Sequence, residues 1–172
     1  LAEALEEAGI PPGVFNVVLG SGASLGPALV TDPGIDAVTF TGSTAVGHDI
    51  RRNANVPVQL EMGGHSPMIV RADADIARAV DAIVLGAYAS SGQKCTATRR
   101  VYTHRSIHHE LLSALVQRTK LLEIGNPLDA AVTIGPLVNE RQLNEVLAAV
   151  DRASKLGTLV HGGRRLDGLP YA

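Results

Sequence analysis

The chain alternates short runs rich in β-branched residues with stretches of helical periodicity, and this alternation limits the folds open to it. Residues 14–19, 37–40 and 56–62 have the composition of buried strands, and helical patterns follow the first two. Strands that alternate with helices predict an α/β architecture built on a parallel sheet.

The alternation breaks at Gly63–Gly64, where two strands are nearly consecutive. We therefore predict a boundary there, between residues 1–63 and residues 64–172. The elements predicted after the break are a strand over 67–70, a long helix capped by Asp73 or Asp75, a strand over 100–103, a helix capped by Ser106, a helix capped by Asn139 and a strand over 158–161.

Composition excludes several functional classes. Apolar residues form 45% of the 172 positions and charged residues 19%, which is too apolar for a disordered chain. A net charge of −2 gives no basic surface for nucleic acid. No apolar run approaches the roughly 18 residues of a membrane helix, and residues 1–9 do not resemble a signal peptide. We expect a cytoplasmic protein that binds neither nucleic acid nor membrane.

Two strand-to-helix turns are candidate nucleotide sites. Gly20, Gly22 and Gly26 follow the predicted strand over 14–19 and open the next helix, where glycines admit a pyrophosphate and the helix N-terminus donates N–H groups to it. Their spacing differs from the usual dinucleotide motif, so a turn without a ligand is an equal alternative. The second turn, Thr41-Gly42-Ser43-Thr44, on its own favours simple helix capping.

Cys95 and Glu61 are the candidate catalytic residues. Cys95 is the one cysteine, so it forms no disulfide within the chain. Lone cysteines are usually buried and inert, but a polar loop beside Lys94 favours a reactive thiol. Glu61 follows an apolar strand and precedes Gly63-Gly64, so it is either an exposed strand end or a desolvated general base.

The histidines and arginines favour no site of their own. His104, His108 and His109 cluster in the sequence without cysteine or carboxylate ligands, which indicates a solvated surface, and we predict no metal site. The arginine pairs are scattered and balanced by acids.

Taken together, the motifs resemble the NAD(P)-dependent aldehyde dehydrogenase superfamily along the whole chain. Four motifs occur in the family's order, and two later ones add support. They are Gly20-x-Gly22-x-x-x-Gly26, Phe40-Thr41-Gly42-Ser43-Thr44, Leu60-Glu61-Met62-Gly63-Gly64 and Gly92-Gln93-Lys94-Cys95, then Gly125-Asn126-Pro127 and Ile134-Gly135-Pro136-Leu137-Val138.

The resemblance implies a fold, two domains and a reaction. Residues 1–63 would be the C-terminal part of an open Rossmann-like NAD(P)-binding domain, and residues 64–172 the N-terminal part of an α/β catalytic domain. Cys95 would be the nucleophile that forms a thiohemiacetal and then a thioester, and Glu61 the base that activates water to hydrolyse it. The residues implied to bind NAD or NADP are Gly20, Gly22, Gly26, Phe40, Thr41, Gly42, Ser43, Met62 and Gly63.

The resemblance also implies partners and an incomplete site. The substrate would be a small aldehyde, oxidised to a free acid, and the longer protein a homo-oligomer, dimer or tetramer. A second oxyanion donor and the ribose-binding residues would lie outside the chain, so we expect an internal piece that is inactive alone. His65 also replaces the lysine found in many members. Two alternatives stay open: a non-catalytic nucleotide-binding or oligomerising piece, and a cysteine-dependent esterase.

Overall fold

The computed structural model describes residues 1–169, and positions 170–172, at the end of the predicted catalytic range, lie outside the described residues. The chain divides into two compact units, Leu1–Met62 and Gly63–Ala172. No helix within residues 1–169 is both long enough and apolar enough to cross a membrane.

The first unit contains one parallel pair of strands with its crossover helix. β1 and β2 pair in register from Val38 opposite Val58 to Thr41 opposite Glu61. Because the pair is parallel, Thr41 and Glu61 both lie at its carboxyl end. The elements of this unit are α1 (Ala2–Glu7), α2 (Gly22–Thr31), β1 (Val38–Thr41), α3 (Thr44–Asn53) and β2 (Val58–Glu61).

The second unit repeats the strand–helix–strand arrangement with a larger core. β3 and β4 pair in parallel from Pro67 opposite Arg100 to Val70 opposite Thr103. Side chains of β3, α4 and α5 form the buried centre: Val70, Val80, Ile83 and Leu111. The elements are β3 (Pro67–Val70), α4 (Ile76–Tyr88), a 3₁₀ turn (Ala89–Gly92), β4 (Arg100–Thr103), a 3₁₀ turn (Arg105–Ile107), α5 (His108–Thr119) and α6 (Glu140–Ser154).

The predicted α/β class with parallel strands is confirmed. The predicted caps of two long helices are confirmed too: the side chain of Asp75 accepts a hydrogen bond from the Arg78 N–H, and that of Asn139 accepts one from Gln142. These interactions are local, so a short stretch of sequence is enough to predict them.

Two predicted strands and one predicted helix cap are wrong. Residues 14–19 form no strand, and the Leu19 side chain is 89% exposed. Residues 158–161 form no strand either, because a strand needs a partner for its backbone groups and neither segment has one within residues 1–169. Ser106 does not cap α5. It lies inside a 3₁₀ turn that the His104 side chain caps, and Ile107 holds the cap position of α5 without a side-chain bond.

Candidate active site

Cys95 lies in a turn that is exposed to solvent between the first 3₁₀ turn and β4. Its carbonyl oxygen accepts a hydrogen bond from Ser66 Oγ at 3.4 Å. Among the residues that the structure describes, the Cys95 N–H donates no hydrogen bond. The thiol and a free amide donor therefore belong to the same exposed residue, which is the pairing a nucleophile needs to attack a carbonyl and stabilise the resulting oxyanion.

The turn is fixed firmly on its C-terminal side. Ala97 is only 3% exposed, and the Thr98 N–H donates to the Gly86 carbonyl of α4 at 2.9 Å. A Cβ at Gly86 would lie 2.6 Å from Thr98 Oγ1, so a glycine is needed for the turn to pack this closely on α4. Sequence reasoning missed Gly86, although an isolated glycine inside a helical pattern is a signal of close packing.

The N-terminal side of the turn has an unusual backbone. Ser90, Ser91 and Gly92 have φ of 54°, 57° and 67°, three consecutive residues in the left-handed region. A Cβ at Gly92 would lie 2.7 Å from the Ala87 carbonyl oxygen. Left-handed serines persist only where surrounding contacts hold them, and such residues concentrate at functional sites.

Glu61 lies at the carboxyl end of β2, with its side chain exposed within this chain. Its carbonyl oxygen accepts a hydrogen bond from the Gly42 N–H at 3.0 Å. This bond extends the β1–β2 ladder by one step and brings the start of the Gly42–Ser43 turn beside Glu61. Ligands of parallel α/β sheets bind at this end of the strands. The catalytic role of Glu61 stays a prediction.

Phe40 and Met62 are half-buried and pack against glycines. The Phe40 ring lies against Gly42, where a Cβ would collide with it. The Met62 sulfur lies 2.5 Å from the Cβ position of Gly47 on α3. These contacts shape the strand-to-helix turn that holds Ser43. Gly47 is a further residue that sequence reasoning missed.

Two of the three helix N-termini in the first unit, those of α2 and α3, suit an anion. Ser43 Oγ caps α3 by accepting the Val46 N–H at 3.3 Å, and Ser21 Oγ caps α2 by accepting the Ser24 N–H at 3.2 Å. The first turn of each helix has no acidic residue to cancel its positive end. A pyrophosphate is the kind of group that such ends bind.

The glycines of the first turn divide into two kinds. A Cβ at Gly20 would meet Leu25 Cδ1 at 2.9 Å, so this glycine serves packing. Gly22 and Gly26 have no described atom within 4 Å of that position, which leaves their backbone open to an approaching group. The Ser43 helix end and this open backbone stay the candidates for the phosphates of a dinucleotide. Gly63 begins the second unit, and its Cβ position is also open.

The histidine cluster has a structural explanation. His104 Nδ1 accepts the Ser106 N–H at 3.3 Å, and the rings of His108 and His109 stack edge to face at 5.3 Å. Within residues 1–169, no three histidine, cysteine or acidic side chains gather as a metal site.

Comparison with known proteins identifies the family. The sequence profile of the Aldehyde dehydrogenase family matches residues 1–170. The chain belongs to this family. It is 42% identical over 170 residues to an α-ketoglutaric semialdehyde dehydrogenase of Bacillus subtilis, a match that covers 96% of this chain and 35% of that protein.

Solved aldehyde dehydrogenases have the same fold. A NAD-dependent aldehyde dehydrogenase from Sinorhizobium meliloti matches with a TM-score of 0.95 and 39% identity, over 99% of this chain and 35% of that one. A betaine aldehyde dehydrogenase from Staphylococcus aureus, solved with NAD⁺, matches with a TM-score of 0.93 and 35% identity, over 97% of this chain and 34% of that one. The chain therefore spans about a third of the length of these relatives.

Proposed function

We propose that this chain is part of an enzyme that oxidises a small aldehyde to a carboxylic acid with NAD⁺ or NADP⁺. The observation that carries the proposal is Cys95, an exposed thiol with a free backbone N–H in a turn anchored on both sides. Membership of the aldehyde dehydrogenase family supports the reaction class.

In the proposed mechanism Cys95 performs the covalent step. Its thiolate Sγ attacks the aldehyde carbon, and the carbonyl electron pair moves onto oxygen to give a thiohemiacetal oxyanion. The Cys95 N–H donates a hydrogen bond to that oxyanion, and removal of one such donor typically slows a reaction about 10²–10³-fold. The oxyanion then collapses, hydride leaves the carbon, and a thioester on Cys95 remains.

Glu61 acts in the second half of the reaction. Its carboxylate accepts a proton from water, the water oxygen adds to the thioester carbon, and the Cys95 thiolate leaves with the C–S electron pair. The product is a free carboxylic acid, and the thiolate is restored. The location of Glu61 at the carboxyl end of a parallel strand supports this role. The family resemblance supports it too, because it implies that members that transfer the acyl group to coenzyme A generally lack this carboxylate.

The nicotinamide cofactor supplies a hydride acceptor when it is bound. Ser43 and the N-terminus of α3 would hold its phosphates, and the open backbone at Gly22 and Gly26 would face it. Thr41, Gly42 and Phe40 shape the turn beside Ser43, while Met62 packs beneath it.

The two compact units take the two domain roles in this proposal. Residues 1–63 are assigned to the NAD(P)-binding domain and residues 64–172 to the catalytic domain. The parallel β1–β2 pair and the Cys95 turn support these assignments. A cytoplasmic homo-oligomer, dimer or tetramer, stays a prediction from the family resemblance.

The experiment uses the purified full-length protein that carries this chain. We expect aldehyde-dependent reduction of NAD⁺ or NADP⁺, followed by absorbance, and its loss in Cys95→Ser. Comparing the two cofactors decides between them. Ester hydrolysis without any nicotinamide requirement would instead favour the esterase alternative, and cofactor binding without turnover would favour a non-catalytic protein.

A further inference from the structure

The Cys95 turn is tied to a distant segment through the side chain of Gln93. Gln93 Oε1 accepts a hydrogen bond from the Val138 N–H at 2.9 Å, across 45 positions of sequence. Two residues earlier, Ser91 Oγ donates to the Gly135 carbonyl at 2.8 Å. Both bonds end on residues 135–138, which we call the anchor segment.

The anchor segment is itself held at both ends. On its N-terminal side, Ile124 and Ile134 form a parallel bridge, and the Gly125 N–H donates to the Ile134 carbonyl at 3.0 Å. On its C-terminal side, Asn139 caps α6, whose Leu143 side chain is buried. A segment fixed in this way is a rigid support for a side chain that docks on it.

The position of Gln93 makes this contact important for the thiol. Cys95 lies two residues after Gln93 and two residues before Ala97, so the turn between them is held on both sides, and Ser66 Oγ also donates to the Cys95 carbonyl within it. The support on the C-terminal side is the burial of Ala97, together with the Thr98 bond to α4. On the N-terminal side, the backbone arrives through the left-handed residues Ser90–Gly92, and the Gln93–Val138 bond is the side-chain contact next to the thiol.

We infer that Gln93 is a positioning residue for Cys95, and that it acts through its hydrogen bond to the Val138 N–H. The inference rests on the proposed function, because it assigns to Gln93 the orientation of the proposed nucleophile. Gln93 itself touches neither substrate nor cofactor in this account. Its loss removes the bond to residues 135–138 that lies closer in sequence to the thiol and leaves the Ser91–Gly135 bond to hold that side. An error of about 1 Å in the placement of a reacting group can slow a reaction about 10²-fold.

The test compares Gln93→Met with wild type in the full-length protein. Methionine keeps the length of the side chain and replaces the amide oxygen, which accepts the bond, by a thioether that is only a weak acceptor. Gln117→Met is the matched control, since Gln117 is an exposed glutamine on α5 in the same unit. We expect kcat to fall about tenfold or more in Gln93→Met, with KM for the cofactor and the melting temperature close to wild type, and no change in Gln117→Met.

Two further measurements do not depend on turnover. Deuterium exchange at the Val138 amide should become faster in Gln93→Met only. A trifluoromethyl label on Cys95, assigned with Cys95→Ser, should give one ¹⁹F resonance in wild type and a shifted or broadened one in Gln93→Met. If wild type reduces no cofactor with any aldehyde, the proposed function fails, while these two readouts still decide the role of Gln93.

A double-mutant cycle with Val138→Pro tests the named bond, because proline has no N–H to donate. We expect Val138→Pro to reproduce the loss in kcat, and the double variant to be no worse than either single variant. Equal kcat, exchange and ¹⁹F spectra in Gln93→Met and wild type would overturn the inference. The inference would also be overturned if the loss of kcat in the double variant equalled the product of the two single losses. If Val138→Pro does not fold, deuterium exchange and the ¹⁹F spectra of Gln93→Met decide the role of Gln93.

Discussion

At the residue scale, a polar loop holds the backbone of Cys95 in one place. Glycine, serine and lysine surround the cysteine, and such a composition on its own indicates a mobile segment. The structure shows instead a turn with Ala97 buried and Ser90–Gly92 in left-handed conformations. The thiol is exposed, but the backbone that carries it is held by contacts on both sides.

Gly92 gives a prediction about this backbone, with Gly162 as its matched control. Both have left-handed φ, 67° and 69°, but only at Gly92 would a Cβ meet a described atom within 4 Å, the Ala87 oxygen. We expect Gly162→Ala to lower the free energy of unfolding by about 1–2 kcal/mol, the cost of a left-handed alanine. Gly92→Ala should lower it by about 1–3 kcal/mol more, because it adds a steric clash.

Urea unfolding of the full-length protein measures both changes. A Gly92→Ala variant no less stable than Gly162→Ala would contradict the close contact with Ala87. Cysteine labelling of the two variants adds a local readout, since the clash lies three residues from Cys95.

At the element scale, the N-terminus of α3 is the part assigned to the cofactor phosphates. Ser43 caps this helix, as Asp75 caps α4 in the second unit. Replacing either residue by alanine removes one capping bond and should lower stability by about 1 kcal/mol. Only Ser43→Ala should also weaken NAD(P) binding, because only this cap lies in the assigned phosphate site.

Calorimetric titration with NAD⁺ and NADP⁺ separates the two effects. We expect a several-fold increase in Kd for Ser43→Ala and none for Asp75→Ala. An equal increase in both variants would mean that lost stability explains the weaker binding, and unchanged binding in both would remove Ser43 from the site.

The elements also show what a sequence can and cannot predict. α3, α4, α6 and β3 follow from local signals, namely caps, turn glycines and apolar periodicity. Residues 14–19 have the composition of a strand, but they have no pairing partner within residues 1–169. Composition could not predict this, because strand pairing depends on residues far away in sequence. The Gln93–Val138 bond escaped prediction for the same reason. The sequence motifs predict the candidate site residues, because a motif can be recognised without knowing which residues are in contact.

At the scale of the whole molecule, the isolated 172-residue chain should be inactive and prone to associate. The apolar segment 14–19 is exposed, including Val18 at 64%, and within residues 1–169 each of the two sheets consists of two strands, which leaves their outer edges unpaired. Exposed apolar surface and unpaired edges favour association. The family resemblance also places a second oxyanion donor and the ribose-binding residues outside this chain.

Light scattering and a cofactor-reduction assay on the purified 172-residue chain check this expectation. We expect species larger than a monomer and no aldehyde-dependent turnover above background. A monodisperse monomer with a turnover within about tenfold of an ordinary enzyme, roughly 10 per second, would show that the chain is complete as a catalyst.

In the proposed reaction, Cys95 carries the acyl group and Glu61 releases it. Glu61→Gln preserves the size of the side chain but removes the proton acceptor. Mixed rapidly with aldehyde and cofactor, the full-length variant should form up to one reduced cofactor per site in a burst and then stall. The peptide that contains Cys95 should carry the mass of the acyl group as a thioester. The proposed roles of Cys95 and Glu61 would be contradicted if the burst amplitude and the steady-state rate fell by the same factor and no acyl mass were found on Cys95.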